Sequence, residues 1–388
     1  MPFREQSIMD QRRAFVALAE QGGIAFAELC RRFDVSRPTG YKWLGRYRDA
    51  GEAGLAERSR RPHTSPGQTP GAMEARVVAL RDEHPSWGGQ KLRTRLRDRG
   101  LDAVPAASTI TTILARHGRL DPAEAAKHTP WRRFEHPAPN DLWQLDFKGH
   151  FALATGRCHP LSVLDDHSRY LLGLTACGDE QDGTVRAVLT RLFRQFGLPW
   201  HILTDNGPPW GSPGQDLTAL GVWLLRLGVR PVHGRPLHPE TQGKVERFHR
   251  TLKAELLRGA AYPDLAGAQA AFADWQAVYN HERPHHALEL AVPASRYRPS
   301  PRPFPEVVPP LEYGPEDEVR IVARSGQVHY RNRAVFVSQA LAGQRVAVRP
   351  TTTDGVLAVY FGPERLGTVD LHRSTLTLDR AAARADGV

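Results

Sequence analysis

The sequence predicts a multidomain fold: all-α helix-turn-helix units at the front, a mixed α/β sheet covered by helices in the middle, and a small all-β barrel at the end. Three observations carry this reading. Apolar residues recur at helical spacing through most of residues 8–118. Between 140 and 280, β-rich runs give way to alternating helices and strands. Beyond 311 only short strands remain, separated by Gly, Asn and Asp turns.

The first helix is expected over Ile8 to Ala19, with Ile8, Phe15, Val16 and Leu18 apolar, and the second over Ala25 to Phe33, through Phe26, Leu29 and Phe33. After the break Asp34-Val35-Ser36, Ser36 can cap a third helix with Pro38 in its first turn. Tyr41, Trp43, Leu44 and Tyr47 supply its packing face and aromatic rings. Helix, three-residue turn and helix, with Arg37, Thr39 and Lys42 near the start of the last, is how a recognition helix meets the major groove of DNA. A plain three-helix bundle is the alternative. Arg58, Arg60 and Arg61 follow in a Gly-, Pro- and Ser-rich stretch. Such an arm suits a narrow minor groove, and a solvated linker is its alternative.

A second helical unit is expected over 71–118. Ala72 to His84 carries Val77, Val78 and Leu80. The helix after Trp87-Gly88-Gly89 puts Leu92 and Leu96 inside and arrays Lys91, Arg93, Arg95, Arg97 and Arg99 around them. Ser108 can cap a third helix, Thr109 to His117. This resembles a second helix-turn-helix, with Lys91, Arg93, Ser108 and Thr109 as candidate DNA contacts.

Charge supports a polyanionic partner. The chain of 388 residues carries a formal +10 and a pI near 9.8. Residues 1–138 hold 24 Lys and Arg against 16 Asp and Glu, a net +8, whereas the rest hold 28 against 26. The excess therefore lies ahead of the middle region. Cys30, Cys158 and Cys177 are too scattered for a disulfide framework or a Cys-x-x-Cys zinc site. No apolar run approaches the roughly 20 residues of a membrane span, and no signal-peptide core opens the chain, so a soluble cytoplasmic, nucleoid-associated protein with no membrane partner is expected.

In the middle region, strands are expected at Leu142–Phe147, His159–Leu164, Tyr170–Thr175, Trp200–Thr204 and Val229–Val232. Helices are expected over Gly183–Phe196, Leu217–Leu227, Thr241–Leu257 and Leu265–Tyr279. Six prolines between Pro299 and Pro310 suggest a stiff linker. Six short strands between 318 and 371 make the expected barrel. The expected divisions are 1–57, a basic linker 58–70, 71–118, a linker 119–138, the α/β unit 139–298, the Pro-rich linker 299–310 and the β unit 311–375.

Three carboxylates stand out. Asp146 closes one strand, Asp205 closes another 59 positions later, and Glu246 lies 41 positions further on a basic helix. Side-by-side strands would bring the two Asp residues to one sheet edge, and the helix could complete the cluster by packing across it. Phosphodiester transfer needs an activated attacking oxygen, a stabilised leaving oxygen and neutralised phosphoryl charge, which two Mg2+ ions per site meet together. Mg2+ prefers carboxylate and water oxygens, and Mn2+ can substitute. Arg250 and Lys253 share the Glu246 face and, with Lys244, are expected to meet DNA phosphates. A single Asp at a strand end is more often a turn cap, and Asp165-Asp166 in Leu-Asp-Asp-His-Ser-Arg is read that way.

These residues fall into an ordered set of motifs. Arg58-Ser59-Arg60-Arg61-Pro62-His63 comes first, followed by Pro139-Asn140-Asp141-Leu142-Trp143-Gln144-Leu145-Asp146-Phe147-Lys148-Gly149 and Asp165-Asp166-His167-Ser168-Arg169-Tyr170. Then come Thr204-Asp205-Asn206-Gly207, Pro239-Glu240-Thr241-Gln242-Gly243-Lys244-Val245-Glu246-Arg247-Phe248, and Tyr279-Asn280-His281-Glu282-Arg283-Pro284. In that order they resemble bacterial insertion-sequence transposases with a retroviral-integrase-like catalytic core, the DDE class, over nearly the whole chain. The resemblance implies a ribonuclease-H-like core with Asp146, Asp205 and Glu246 as catalytic metal ligands. It also implies hydrolytic nicking at transposon ends, then attack of the freed 3′-hydroxyl on target DNA. One departure is the longer Asp205–Glu246 interval, which places extra loop around Pro208-Pro209-Trp210-Gly211-Ser212-Pro213. No zinc-binding His/Cys domain is visible.

Double-stranded DNA, as element ends and as target, is the expected partner. Joining two ends suggests a homodimer or higher homo-oligomer. Two other readings stay open: a metal-dependent nuclease on the same fold, and a DNA-binding regulator derived from a transposase.

Overall fold

A computed structural model describes residues 7–57, 67–120, 135–205, 207–211, 217–233, 243–371 and 375–378. The chain divides into two compact units, Met1–Gln68 and Thr69–Val388. Arg58, Arg60 and Arg61 lie outside the described residues.

In the first unit, α1 (Ile8–Gln21), α2 (Phe26–Arg32) and α3 (Arg37–Ala50) precede a 3-10 turn, Gly51–Leu55. The Ser36 hydroxyl accepts from the Thr39 N–H at the start of α3, the cap its sequence calls for. The turn before it uses Asp34 at φ +51°, a left-handed conformation that Asp tolerates. Phe15, Val16, Leu29, Cys30, Trp43, Leu44 and Leu55 form the core. Ile8 differs from its expected role: it is 68% exposed, because it sits in the first turn of α1, ahead of the stripe that packs.

The second unit opens with α4 (Gly71–Glu83), α5 (Gly89–Asp98) and α6 (Ala107–Arg116) around Val77, Leu80, Trp87, Leu92, Leu96 and Ile110. Here α6 begins right after the Pro105-Ala106 break, with Ala106 at the N-cap and no side-chain cap. Ser108 therefore sits inside the first turn instead of capping it.

The central sheet contains β1 (Leu142–Phe147), β2 (Phe151–Leu153), β3 (Gly156–Asp165), β4 (Leu171–Cys177), β5 (His201–Thr204) and β6 (Arg230–His233). The path runs β2-β3-β1-β5-β6, with β4 also paired to β3. β3 is antiparallel to β1 and β4, whereas β1–β5 and β5–β6 are parallel. That mixed order is the one expected of a ribonuclease-H-like core. The helices are α7 (Asp182–Phe196), α8 (Ala219–Arg226), α9 (Gly243–Leu252) and α10 (Leu265–His281). Alternation along β1 sends Trp143 and Leu145 into a core with Leu189, Phe193 and Trp223 of α7 and α8. On the other face, Leu164, Leu171 and Leu174 meet Phe248 and Leu252 of α9 and Phe272 of α10. The expected long helix ends at Leu252 and continues as a single π turn, Lys253–Leu257.

The first three helices of this unit are built onto that core. The Ser86 hydroxyl donates to Glu255 at 2.6 Å, Arg95 pairs with Glu282, and Val278 of α10 packs against the α4–α6 cluster.

The Pro-rich segment is a strap and not a free spacer. Backbone bonds join Ser300 N–H to Phe196 O and Leu198 N–H to Arg302 O. The Arg302 guanidinium donates to Pro199 O at 2.6 Å and Gly228 O at 2.7 Å, and lies 4.1 Å over the Trp200 ring. Gly197, at φ +77°, permits this approach, because a Cβ there would stand 2.7 Å from Ser300 O. Proline count alone suggested stiffness; the anchoring comes from Arg302 and from backbone groups left open at the end of α7. Arg302→Ala is expected to cost about 2–3 kcal/mol, since charge-assisted bonds to carbonyls are each worth roughly 1.5–3 kcal/mol. Thermal unfolding checks this, and an unchanged melting temperature would return the segment to linker status.

The last seven strands are β7 (Glu318–Ile321), β8 (Gln327–Tyr330), β9 (Arg333–Phe336), β10 (Arg345–Pro350), β11 (Val356–Phe361), β12 (Glu364–Asp370) and β13 (Thr375–Leu378). Their sheet runs β7-β10-β11-β12-β13-β9-β8. The all-β expectation holds. Among the described residues, the hydrogen-bonded path does not join β7 to β8, so closure into a barrel is not shown. The core of this sheet shares Leu217, Val222 and Leu225 from around α8, and Arg230 pairs with Glu364 at 2.6 Å.

Candidate active site

The parallel register sets Gln144 opposite Leu203. Two residues further along each chain stand Asp146 and Asp205, at neighbouring strand ends. Burial, and next the Asp205 carboxylate, push the Asp146 carboxyl up to about 7. The loop after Asp205 is held close by: Gly207 N–H donates to Asp205 Oδ1 at 3.2 Å, and the buried Trp210 packs on Phe147 with ring centroids 6.0 Å apart. The longer interval noted in the sequence thus begins with a turn whose indole plugs the core beside the strand that carries Asp146.

Across the sheet face runs α9. Its His249 is buried, with Nδ1 3.6 Å from Asp146 Oδ2 and Nε2 2.8 Å from Ser162 Oγ. Ser162 stands opposite Asp146 in the β1–β3 register, and its hydroxyl donates to Asp146 O at 2.9 Å. With that proton committed, Ser162 Oγ accepts from His249 Nε2, which leaves Nδ1 as the atom facing the carboxylate. Burial pushes His249 down to about 3, so the ring is neutral. Sequence reading missed both residues. The signal for His249 was its place three residues after Glu246, on a shared helix face; Ser162 needed the register.

Glu246 itself is exposed on α9. Among the described residues, no three His, Cys, Asp or Glu side chains gather closely enough to hold a metal ion. The structure therefore brings Asp146 and Asp205 together and does not add Glu246 to them. Asp165 acts as a turn cap: buried, it accepts from Asn140 N–H at 2.7 Å and from Ser168 Oγ at 2.6 Å.

The candidate DNA contacts separate into two groups. Arg37, Lys42, Ser108, Thr109, Arg250 and Lys253 are exposed, and Thr39 is half-buried beside its cap. Lys91 and Lys244 face inward. Burial, then the Arg283 charge, push Lys91 down to about 7, a setting beside Arg283 and Glu255 and unlike a phosphate-facing one. Lys244 Nζ lies 2.5 Å from Asp166 Oδ1, and burial pushes it down to about 8. Arg93 is half-buried, with Nε lacking a hydrogen-bond partner among the described residues. A helix covered in cations looks solvated in one dimension; α5 meets a core on the side that carries Lys91 and Arg95.

Comparison with known proteins matches several stretches of the chain. Residues 11–63 match a helix-turn-helix domain and 39–114 a homeodomain-like domain. Residues 136–239 and 227–293 match the integrase core domain, and 317–377 match the C-terminal domain of the IS481 transposase family. Together these matches support an insertion-sequence transposase with an integrase-like core. It is 27% identical over 249 residues to an uncharacterized protein of insertion element IS476 from Xanthomonas euvesicatoria, covering 62% of this chain and 69% of that one. To an uncharacterized protein of insertion element IS407 from Burkholderia multivorans it is 31% identical over 158 residues, covering 40% of this transposase and 55% of its relative. Among solved structures it is similar to a chain of the simian T-cell lymphotropic virus intasome in complex with PP2A regulatory subunit B56 gamma. That likeness has 19% identity and a TM-score of 0.36, over 74% of this chain and 97% of the other.

Proposed function

We propose that this transposase binds the ends of its insertion sequence, nicks them by metal-dependent hydrolysis and joins the freed 3′-hydroxyls to target DNA. The observation that carries the reading is the Asp146–Asp205 pair, whose burial and mutual repulsion drive Asp146 up to about 7. Such a pair is relieved by a divalent cation. The donor chemistry fits Mg2+ or Mn2+, because both groups are hard carboxylate oxygens. Asp146 and Asp205 would hold the two ions, with Glu246 of α9 as the third ligand. Once bound, divalent cations supply phosphoryl charge neutralisation and an activated oxygen nucleophile.

The chain's own residues do the remainder. Ser162 holds the Asp146 backbone carbonyl and seats the His249 ring beside its carboxyl group, Trp210 fixes the start of the loop beside it, and the exposed Arg250 and Lys253 hold the DNA backbone. The recognition helix α3, with Arg37, Thr39 and Lys42, addresses the element's ends. Two ends must be joined, so the active form is a dimer or higher homo-oligomer on double-stranded DNA in the cytoplasm.

The test uses purified protein, labelled terminal repeats, a target plasmid and Mg2+ or Mn2+ with a chelator control. Joined product that requires the metal and disappears in Glu246→Gln supports the reading. Nicking without joining would point to a nuclease, and tight binding without cleavage to a regulator.

A further inference from the structure

Asp166 has 0% of its surface exposed, yet no step described so far uses it. Its Oδ1 accepts from Lys244 Nζ at 2.5 Å and from Gln144 Nε2 at 2.6 Å, and its Oδ2 accepts from His136 N–H at 2.8 Å. Arg169 Nη1 also stands 3.8 Å from Oδ1, and the two side chains that hydrogen-bond this oxygen come from the two elements that carry the candidate ligands. Gln144 lies two residues before Asp146 on β1, and Lys244 lies two residues before Glu246 on α9. One buried carboxylate thus ties the strand of the first ligand to the helix of the third. Further along α9, His249 bonds Ser162 beside Asp146. Two attachment points on one short helix set both its axial position and its rotation over the sheet.

We propose that Asp166 is a positioning residue that fixes α9, the helix carrying Glu246, over β1, the strand carrying Asp146, by holding Lys244 and Gln144 on one carboxylate, and that Lys244 serves this internal pair and not DNA. The proposal rests on the three-carboxylate reading above. Its logic is electrostatic: a buried ammonium has a strong need for its partner, so removing either charge frees the start of α9.

A double-mutant cycle on the full chain tests it, using Asp166→Asn, Lys244→Met and the double variant. Three quantities are read: Mn2+ binding to the protein alone, nicking rate at saturating DNA, and the salt dependence of binding to the terminal repeat. Each single variant is expected to weaken Mn2+ binding several-fold and slow nicking about tenfold or more. The salt slope should stay unchanged, and the double variant should be no worse than the poorer single one. Lys244→Arg, which keeps the charge, should recover part of the rate. A loss of about one unit of salt slope in Lys244→Met alone would make Lys244 a phosphate contact and overturn the proposal. A lower melting temperature with unchanged Mn2+ binding and nicking rate would overturn it too, by reducing Asp166 to a fold-stabilising role. Should a single variant fail to fold, the double variant, in which positions 166 and 244 are both uncharged, decides: wild-type Mn2+ binding and nicking there would contradict it. Wild-type protein that neither binds Mn2+ nor nicks would refute the functional reading instead, and the positioning role with it.

Discussion

Asp146→Asn is expected to reduce strand nicking by about 10³-fold or more, while binding to the element's ends changes little. Loss of a ligand removes several kcal/mol of charge stabilisation at the phosphoryl group, and each 1.36 kcal/mol is about tenfold in rate. The same substitution should make the metal-free protein more stable at pH 8. The folded Asp146 keeps its proton to about 7, whereas an unfolded Asp loses it near pH 4. Between those values the native state binds more protons than the unfolded one, so stability falls as pH rises through that window and stays low above it. A shift of that size amounts to roughly 4 kcal/mol. Asn carries no such charge, so its metal-free profile should be flatter and its melting temperature at pH 8 higher by several degrees. Melting curves in chelator at pH 5 and pH 8 separate the outcomes: a variant that is less stable than wild type at both would place Asp146 in the fold and not in a strained acidic pair.

Removing residues 1–68 is expected to abolish preference for the terminal repeats, a loss of about 10³-fold or more in specific over non-specific affinity. The remaining unit should stay folded. The cut follows from packing. Residues 1–68 form a compact unit with its own core, while α4–α6 share Val278, the Ser86–Glu255 bond and the Arg95–Glu282 pair with the integrase-core region. A cut at 118 would strip that surface bare, and loss of binding would then report unfolding. Equal footprints from the shortened and full chains would remove the first unit from DNA recognition.

What the sequence made legible was whatever local periodicity or spacing controls. β1, β10 and β11 lie where alternation and turn residues put them, and the Ser36 cap follows from its helix start. The adjacency of Asp146 and Asp205 was open to inference because each closes a strand. Long-range partners were not. Lys244 and Lys91 looked like surface cations because a sequence shows charge and not what faces it; Asp166 stands against the first, and burial beside Arg283 and Glu255 decides the setting of the second. Ser162 became visible only through the antiparallel register, and the strap at 299–310 depends on Arg302 finding carbonyls 74 and 103 residues earlier in the chain.

The central claim is that Asp146 and Asp205 form a divalent-cation site. Mn2+ titration of the wild-type protein at pH 8, compared with Asp146→Asn and Asp205→Asn, tests it without DNA or turnover. Saturable binding by the wild type is expected, with a rise in melting temperature that follows occupancy, and loss of both in each variant. Equal Mn2+ binding by all three proteins would place the cation elsewhere and contradict the account.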